Sequence, residues 1–575
     1  MTGLDDATAL RTLTFLAISG GVTLALGVLA LLFPNTAQST FRRAEHFFSV
    51  FARRKTLAVI ALFLSVIVVR VAVLPLLHVP APGIHDEFSY LLMADTFAHG
   101  RLANPPHPMW ISFETFHVNW FPSYASMYPP AQGFAMAIGQ LLGHPWIGVL
   151  LSGAAMCAAI LWMLQGWLPA RWAFLGAALA ALKFGVASYW INSYWGGAVA
   201  ALAGALVLGA LPRIAKRARV RDALLLGLGL AILANSRPYE GSVFCLPIAA
   251  WLLWWLAGRT KSRIALRQRW RNAALPIGML LALTGAFMGY YNHRLTGNAL
   301  TMPHVLNTRA YHSAPLFLWE RNGPEKTYRN AQFEDFYNGW ERDNYHITRS
   351  DILRVTWEKL FRCGVTYFWP GLLLALPALP FALGDRKMRL PLVSIVLGTL
   401  AVLVVIWSNA HYAAPLTAAI FLLIVQTIRH LRTMRIAARP IGLALSRALV
   451  LALIFDATAA TSRGICDPLL WPCEGDISRQ VIAEKLAHTP GKHLIVVRYG
   501  PEDEHNIHDE WVYNGAEIDN AKVLWARELD AEQNAKLFAY FKDRSIWVVT
   551  PDDDNTYLEP YTPPTAQNSP PTATK

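Results

Sequence analysis

Long apolar stretches separated by polar ones dominate the chain. About twelve of these stretches are long enough to be predicted as membrane-spanning helices, because a span needs about 20 largely apolar residues. The fold class predicted from this pattern is an all-α polytopic membrane protein. The first stretch is expected to remain as a helix and not to be removed as a leader. The predicted spans lie near residues 10–33, 56–79, 145–166, 171–188, 195–212, 222–236, 241–257, 273–290, 364–383, 391–408, 412–428 and 441–460.

The Lys and Arg residues are concentrated in alternate loops, which sets the predicted orientation. Only 15% of the 575 residues are charged and 54% are hydrophobic, so the net charge of +13 resides in these short basic loops. The positive-inside rule places such loops in the cytoplasm, which favours topology over nucleic-acid binding as the source of the charge. Three polar regions then face outward: residues 80–144, residues 291–363 and everything after about 461.

The last outward region changes from apolar runs to alternating helix-like and strand-like segments. Helices are predicted at Ile477–Ala487 and Ala531–Phe541, and strands at His493–Arg498, Lys522–Ala526 and Ser545–Thr550. This order indicates a small C-terminal α/β domain. The predicted divisions are an N-terminal helix with its basic loop, a transmembrane domain, the α/β domain and a disordered Pro- and Thr-rich tail, at 1–55, 56–460, 461–559 and 560–575.

The side of the membrane taken by the C-terminal domain depends on the span 441–460. That segment contains Arg447 and Asp456, and a charge at the centre of a span costs roughly 2.5–3.5 kcal/mol. Cys466 and Cys473 flank a short loop just beyond it. In an oxidising compartment this pair is predicted to form a disulfide.

Adjacent carboxylates at Asp86 and Glu87, where the second span emerges, are the most informative polar feature. A carboxylate at the edge of a low-dielectric region can act as a general base or bind a divalent ion. The same pair can also simply begin a surface helix, where acidic side chains complement the helix dipole. Residue chemistry alone leaves both interpretations open.

The surroundings of the acidic pair resemble a known family. The pair itself, the Tyr90…Ala94…Gly100 pattern and Tyr128-Pro-Pro-Ala-Gln-Gly133 are together similar to the multi-spanning glycosyltransferases of the GT-C class. The most similar branch is the one that contains protein O-mannosyltransferases and bacterial aminoarabinose and lipopolysaccharide-core transferases. The layout matches over about residues 56–430, whereas the motif is specific only over roughly 84–133.

This resemblance implies an enzyme that transfers a sugar from a polyprenyl-phosphate donor to a lipid, glycan or protein acceptor of the cell envelope. The expected location is the bacterial inner membrane, with membrane lipids as further partners and no nucleic acid. Asp86 then corresponds to the loop carboxylate that activates the acceptor, and Glu87 is its catalytic partner or a metal ligand.

The donor phosphate needs cations or hydrogen-bond donors to meet its charge. The candidates are Arg237, His411, Tyr412, Lys183 and Arg309, of which His411 stands where many relatives carry an Arg. Arg237 can instead form an ion pair with Glu240 at a helix junction. The candidates for contacts to the sugar or acceptor are Tyr90, Tyr128, Glu240 and Asn192.

A divalent metal ion is a further candidate cofactor. Glu87 could bind one together with His107, Glu114 and His117, since imidazole and carboxylate groups are suitable ligands. The spacing matches no established metal motif, and histidines in an aromatic-rich loop more often pack or form hydrogen bonds. The segment Asp503–Asn514 invites a similar metal or acceptor hypothesis, with a solvated loop as its alternative.

Two other classes of function compete with the transferase. A transporter or flippase commonly has about twelve spans, but it is expected to show related halves and broken helices that meet near the midplane. Here the halves look unrelated, and the ionisable residues concentrate at the predicted outer rim. A catalytically silent envelope scaffold, with the C-terminal domain as its binding module, is the third alternative.

Overall fold

The computed structural model describes residues 6–348, 350–436, 439–466, 475–500, 506–508, 510–551 and 557–562. Within these residues, nine helices are long and apolar enough to cross a membrane, and a bent pair brings the number to ten. The chain is thus a multi-pass membrane protein. The nine segments are Leu13–Leu32, Lys55–Ala72, Pro145–Trp167, Ala198–Arg217, Pro238–Leu256, Leu266–Thr296, Arg386–Val404, Ala410–Thr433 and Ile441–Ser462.

Three of the predicted spans differ from this set. The helices Ala170–Phe184 and Val220–Ala234 have 15 residues each, about 22 Å of helix against a hydrocarbon core of about 30 Å. The predicted span 364–383 is a bent pair, Ile352–Tyr367 and Pro370–Gly384, with an angle of 99° between its parts. Pro370 explains the break, because proline disfavours helical backbone in the residue before it.

The chain divides into two compact units, each built from separate stretches of sequence. The first unit contains Met1–Pro80, Trp146–Ala286 and Arg349–Cys473. The second unit contains Ala81–Pro145, Phe287–Thr348 and Glu474–Lys575. The predicted outward regions 80–144 and 291–363 therefore contribute most of their residues to the same unit as the C-terminal segment.

Charged side chains in the last span of the first unit have partners on other helices. Ser19 donates a hydrogen bond of 2.5 Å to Asp456, and Arg447 donates one of 2.9 Å to Glu45. These contacts offset the cost of the two charges that the sequence places in the helix Ile441–Ser462. This unit also contains the helix Gln38–Arg53. Several of the segments named above consist of shorter consecutive helices, namely Leu266–Arg269, Trp270–Ala274, Leu275–Thr296, Pro370–Ala378, Leu379–Gly384, Arg386–Met388, Arg389–Val404, Ala410–Leu416 and Thr417–Thr433.

The second unit combines short helices with two small sheets. A two-stranded antiparallel sheet pairs Val118–Asn119 with Ala125–Ser126. The stretch 81–145 contains the helices His85–Ala98 and Ala131–Leu141. The other helical segments are Trp110–Phe113, Pro303–Ala310, Ala331–Phe333, Glu334–Trp340, Glu341–Asn344, Ile477–His488 and Ala531–Tyr540.

The larger sheet contains the strands predicted near the C-terminus. Its order is Val523–Arg527, Lys492–Val497, Arg544–Val549 and Leu558–Pro560. The first three strands are parallel and the last pairs antiparallel. Pro560, the first residue of the predicted tail, is the last residue of this edge strand, and the tail after 562 lies outside the described ranges.

The two faces of this sheet are buried by different partners. Ile495 packs with Ile482 and Leu486 of the helix Ile477–His488. Leu494 points to the opposite face, as alternation along a strand requires, and joins a core that includes Phe88, Phe113, Trp120, Val118, Tyr124, Tyr513, Leu524, Leu537 and Phe541. The sequence predicts a separate domain at 461–559, whereas this core is shared with the stretch 81–145.

Candidate active site

Asp86 and Glu87 lie in the first turn of the helix His85–Ala98. Glu87 is buried, and its Oε2 accepts a hydrogen bond of 2.8 Å from the backbone N–H of Gly83, just before the helix. This contact satisfies a backbone donor at the helix start in the manner of a capping box. Asp86 is partly exposed. The two carboxylates therefore differ: Glu87 binds the backbone at the start of the helix, whereas Asp86 contacts other side chains.

Tyr128 brings the second part of the sequence motif to Asp86. Its hydroxyl donates a short hydrogen bond to Asp86 Oδ1 and lies 3.1 Å from His117 Nδ1. The ring stacks on Tyr90 with 4.5 Å between centroids and 16° between planes. The structure thus brings together four of the residues selected from the sequence, with Tyr90 supporting the ring of Tyr128.

His117 has a constrained backbone and a buried side chain. Its φ of 60° lies in the left-handed region, which is uncommon outside glycine. Its carbonyl accepts hydrogen bonds from Ser89 Oγ at 2.7 Å and from the N–H of Met127 at 3.1 Å. Burial, with a smaller contribution from His312, lowers the pKa of His117 to about 3. The imidazole is therefore neutral at physiological pH.

The four residues proposed as metal ligands do not assemble into a metal site. No group of three or more His, Cys, Asp or Glu residues that could hold a metal ion occurs in the described part of the chain. His107 bonds Asp519 at 3.1 Å. Glu114 accepts a hydrogen bond of 3.0 Å from Tyr311, and burial raises its pKa. Each of the four side chains has a partner of another kind among the described residues.

Among the donor-phosphate candidates, Arg237, Tyr412 and His411 belong to the first unit. The guanidinium of Arg237 lies 4.2 Å from the ring centroid of Tyr412. His411 is buried; its Nδ1 lies 3.2 Å from the hydroxyl of Tyr189, and its Nε2 has no hydrogen-bond partner among the described residues. Glu240 is buried one turn after Arg237, in the helix that Pro238 begins. The cationic group of Arg237 and the buried ring nitrogen of His411 thus belong to residues that both contact Tyr412.

Two other phosphate candidates make ordinary structural contacts. Lys183 donates to the carbonyl of Val365 at 3.2 Å, and its ammonium lies 4.9 Å from the ring centroid of Trp369. Arg309 is exposed on the second unit, where its carbonyl accepts a hydrogen bond of 2.8 Å from Lys326. Neither contact favours a phosphate role over a structural one.

Asn192 has a different role from the sugar contact that the sequence suggests. Its Oδ1 accepts hydrogen bonds from Arg70 at 3.0 and 2.7 Å. Its Nδ2 donates to the carbonyls of Val186 at 2.7 Å and Ser188 at 2.8 Å. These four contacts use the full hydrogen-bonding capacity of the amide, so the side chain ties its loop to Arg70.

The sequence does not reveal a buried acid–base pair in the second unit. His312 Nδ1 and Glu341 Oε1 are 2.6 Å apart, and neither His312 Nε2 nor Glu341 Oε2 has a hydrogen-bond partner among the described residues. The rings of His312 and His117 are nearly parallel, with 6.4 Å between centroids. No motif marks this pair, because its members come from a loop and a short helix 29 residues apart.

The segment 503–514 is a structural element where it is described. Glu510 and Arg527 form a buried ion pair, and Tyr499 donates a hydrogen bond to the same carboxylate. Asp503, Glu504, His505 and Asp509 lie outside the described residues. Cys466 is disulfide-bonded, and its predicted partner Cys473 also lies outside the described residues.

No model of a known protein family matches the sequence, and no curated protein is significantly similar to it. Among solved structures, the chain is similar to ArnT from Cupriavidus metallidurans in the apo state. The identity is 14% and the TM-score 0.48, covering 86% of this chain and 93% of that one.

The chain is also similar to two solved structures from Archaeoglobus fulgidus. One is the oligosaccharyltransferase tethered with an acceptor peptide, with 12% identity, a TM-score of 0.42 and coverage of 85% of this chain and 68% of that one. The other is AglB with an inhibitory peptide and a dolichol-phosphate, with 11% identity, a TM-score of 0.42 and coverage of 85% and 69%. ArnT and AglB are GT-C glycosyltransferases, the class that the sequence motif resembles.

Proposed function

We propose that the chain is a membrane glycosyltransferase that transfers a sugar from a polyprenyl-phosphate donor to a cell-envelope acceptor, with Asp86 as the general base. The observation that carries the proposal is the hydrogen bond from Tyr128 to Asp86. The two residues are 42 positions apart and come from the two halves of the motif that resembles the GT-C class. Their meeting supports a functional role for Asp86 over that of a helix-start residue.

The proposed reaction requires one proton to move to Asp86. A hydroxyl or amine of the acceptor attacks the anomeric carbon, and the bond from that carbon to the phosphate oxygen breaks. The polyprenyl phosphate leaves with the bonding electrons, and the proton of the attacking group passes to the Asp86 carboxylate. A base in hydrogen-bond reach of the nucleophile contributes typically about 10²–10⁴-fold to such a step.

Arg237 and His411 are the residues to which binding of the donor phosphate is assigned. The guanidinium of Arg237 is permanently cationic and suited to phosphate geometry, and stacking on Tyr412 orients it. His411 contributes Nε2, a buried ring nitrogen without a protein partner among the described residues. A buried polar atom of this kind is costly unless a ligand or water satisfies it.

The proposed location is the bacterial inner membrane, with the second unit on the extracytoplasmic side. The alternation of basic loops along the sequence supports this orientation. The disulfide at Cys466, just after the last span, supports it independently, because structural disulfides persist in oxidising compartments.

The proposal is tested by a transfer assay on the purified full-length chain in detergent. The donors are undecaprenyl phosphates that each carry one radiolabelled pentose, hexose or amino sugar, and the acceptor source is washed envelope membrane from cells lacking this protein. We expect one donor to lose its label to the envelope fraction, and Asp86→Asn to reduce that rate by about 10²–10⁴-fold. Asparagine is chosen because its Oδ1 can still accept the hydrogen bond from Tyr128.

Glu532→Gln is the matched control, since Glu532 is an exposed carboxylate of the second unit that pairs with Lys536 at 2.7 Å. Its transfer rate should equal that of the wild type. Transfer by Asp86→Asn at the wild-type rate would remove Asp86 from the chemistry. If no lipid-linked sugar is consumed by the wild type, the transferase function is wrong.

A further inference from the structure

The carboxylate of Asp86 is one end of a hydrogen-bonded series that continues through Tyr128 to His117. The phenol has a single proton, and it donates that proton to Asp86 Oδ1. In the contact of 3.1 Å between the phenol oxygen and His117 Nδ1, the imidazole must therefore be the hydrogen-bond donor. This assignment fixes the His117 tautomer with its proton on Nδ1.

His117 is unsuited to be an acid or a base in this series. The low pKa that burial gives it keeps the ring uncharged, and its Nδ1 proton is already committed to Tyr128. What remains is orientation: the ring holds the phenol oxygen, and the phenol proton points at Asp86.

The surrounding contacts hold Tyr128 and His117 in place from several directions. Tyr90 stacks on the phenol ring. The backbone N–H of Tyr128 donates to Ser126 Oγ at 3.2 Å. Ser89 Oγ lies 2.7 Å from Ser126 Oγ and donates to the carbonyl of His117. An uncommon backbone angle at His117, kept by its surroundings, is typical of positions where orientation matters.

We propose that Tyr128 and His117 are positioning residues for Asp86, with the imidazole orienting the phenol and the phenol orienting the carboxylate. The proposal rests on the function assigned above to Asp86, and it assigns Tyr128 to the enzyme's own machinery instead of to contact with the sugar. It also replaces the metal-ligand role of His117 by that of a hydrogen-bond donor.

Several other titratable groups surround the series and enter any pH dependence. His85 and Glu87 share the helix of Asp86, and Tyr513 interacts electrostatically with Asp86 from the C-terminal segment. His312, bonded to Glu341, lies beside His117, and His508 lies 6.4 Å from His85 between ring centroids. Because these groups are shared by all the variants below, differences between variants isolate the series itself.

The first experiment needs no substrate. Asp86 in the purified full-length chain is labelled with a water-soluble carbodiimide and glycine ethyl ester between pH 4 and 8, and the labelled fraction is measured by peptide mass spectrometry. A hydrogen bond to the ionised carboxylate favours that form, so Tyr128→Phe should move the labelling midpoint upward by about one pH unit. An unchanged midpoint in a folded Tyr128→Phe variant would overturn the proposal.

Two substitutions at position 117 separate hydrogen bonding from backbone strain. Asparagine tolerates left-handed backbone and carries a donor near the position of Nδ1, whereas glycine tolerates that backbone without a donor. His117→Asn should keep the wild-type midpoint, and His117→Gly should shift it in the direction of Tyr128→Phe. Equal midpoints for the Asn and Gly variants would overturn the role of His117.

The second experiment uses the transfer assay with the labelled undecaprenyl-phosphate sugar that the wild type consumes. We expect Tyr128→Phe and His117→Gly to lower kcat about 10-fold with KM for the donor unchanged, because they disturb the base and not binding. The double variant should be no slower than Tyr128→Phe alone, whereas additive losses would contradict one series. If Asp86→Asn has no effect, the role of Asp86 as the general base is wrong; if Asp86→Asn alone loses activity, only the positioning roles of Tyr128 and His117 are wrong.

Discussion

The low pKa of His117 predicts a pH dependence of stability that one substitution can isolate. Burial lowers this pKa from 6.5 to about 3 in the folded chain, so between these values the unfolded chain binds a proton that the folded chain does not. The stabilisation that His117 contributes is therefore fully present above its pKa in the unfolded chain and is lost as pH falls toward its pKa in the folded chain. Between pH 7.5 and pH 5 the loss amounts to about 2 kcal/mol, from the two pKa values.

Thermal unfolding of the detergent-solubilised chain, followed by tryptophan fluorescence at pH 7.5, 6 and 5, measures this loss. Each kcal/mol of lost stability lowers the Tm of a unit as large as the second unit by about 2–4 °C. The Tm of the wild type should therefore fall by about 4–8 °C through His117. His117→Asn lacks the titrating group and should lose that much less than the wild type between the same pH values. His488→Asn, at an exposed histidine, is the control and should follow the wild type.

The reasoning is refuted by one comparison. If the wild type and His117→Asn show the same change in Tm between pH 7.5 and pH 5, the imidazole is not buried in its neutral form. The tautomer assignment that links His117 to Tyr128 would then lose its basis.

Three further predictions concern other contacts. Arg527→Met leaves Glu510 as a buried charge without its ion-pair partner and should destabilise the chain by about 3–5 kcal/mol in thermal unfolding, whereas Lys536→Met, which breaks an exposed pair, should change stability by less than about 1 kcal/mol. Arg237→Gln should weaken binding of undecaprenyl phosphate, measured by titration in detergent, by about 10-fold or more, since a hydrogen bond to a charged group contributes about 1.5–3 kcal/mol. Arg294→Gln, at an exposed arginine, is the control, and equal affinities of the two variants would exclude Arg237 from the phosphate site. Cys466 should resist alkylation in the denatured, unreduced chain while Cys363 is alkylated, as mass spectrometry of both peptides will show; alkylation of Cys466 would contradict the disulfide.

The elements that depend on local patterns were predictable from the sequence. The helices Ile477–His488 and Ala531–Tyr540 and three strands of the C-terminal sheet lie close to their predicted positions, because periodicity and composition report local burial. The bend at Pro370 was missed because the apolar run continues through it, and hydropathy alone does not register a break in direction.

The candidate site was predictable only in part, because its contacts join residues that are far apart in the sequence. The sequence identifies Asp86 and Tyr128 as separate members of one motif, but not the hydrogen bond between them. His312 and Glu341 carry no signal at all, since their meeting depends on how a loop folds back onto a short helix. The contacts of Asn192 also carry no sequence signal, because they are made by backbone and side-chain groups brought together only by tertiary structure.

The shared core of the second unit has a consequence for biosynthesis. Phe113 and Trp120 pack with Leu494 and Phe541, yet the stretch 81–145 leaves the ribosome more than 300 residues before the stretch that begins at 474. At about 5–20 residues per second, that interval lasts roughly 15–65 s. During it, the aromatic side chains of the earlier stretch lack their final partners while the later spans are still being inserted. The core on which the helix of the acidic pair packs, through Phe88, is thus completed late in synthesis, after the last span has been made.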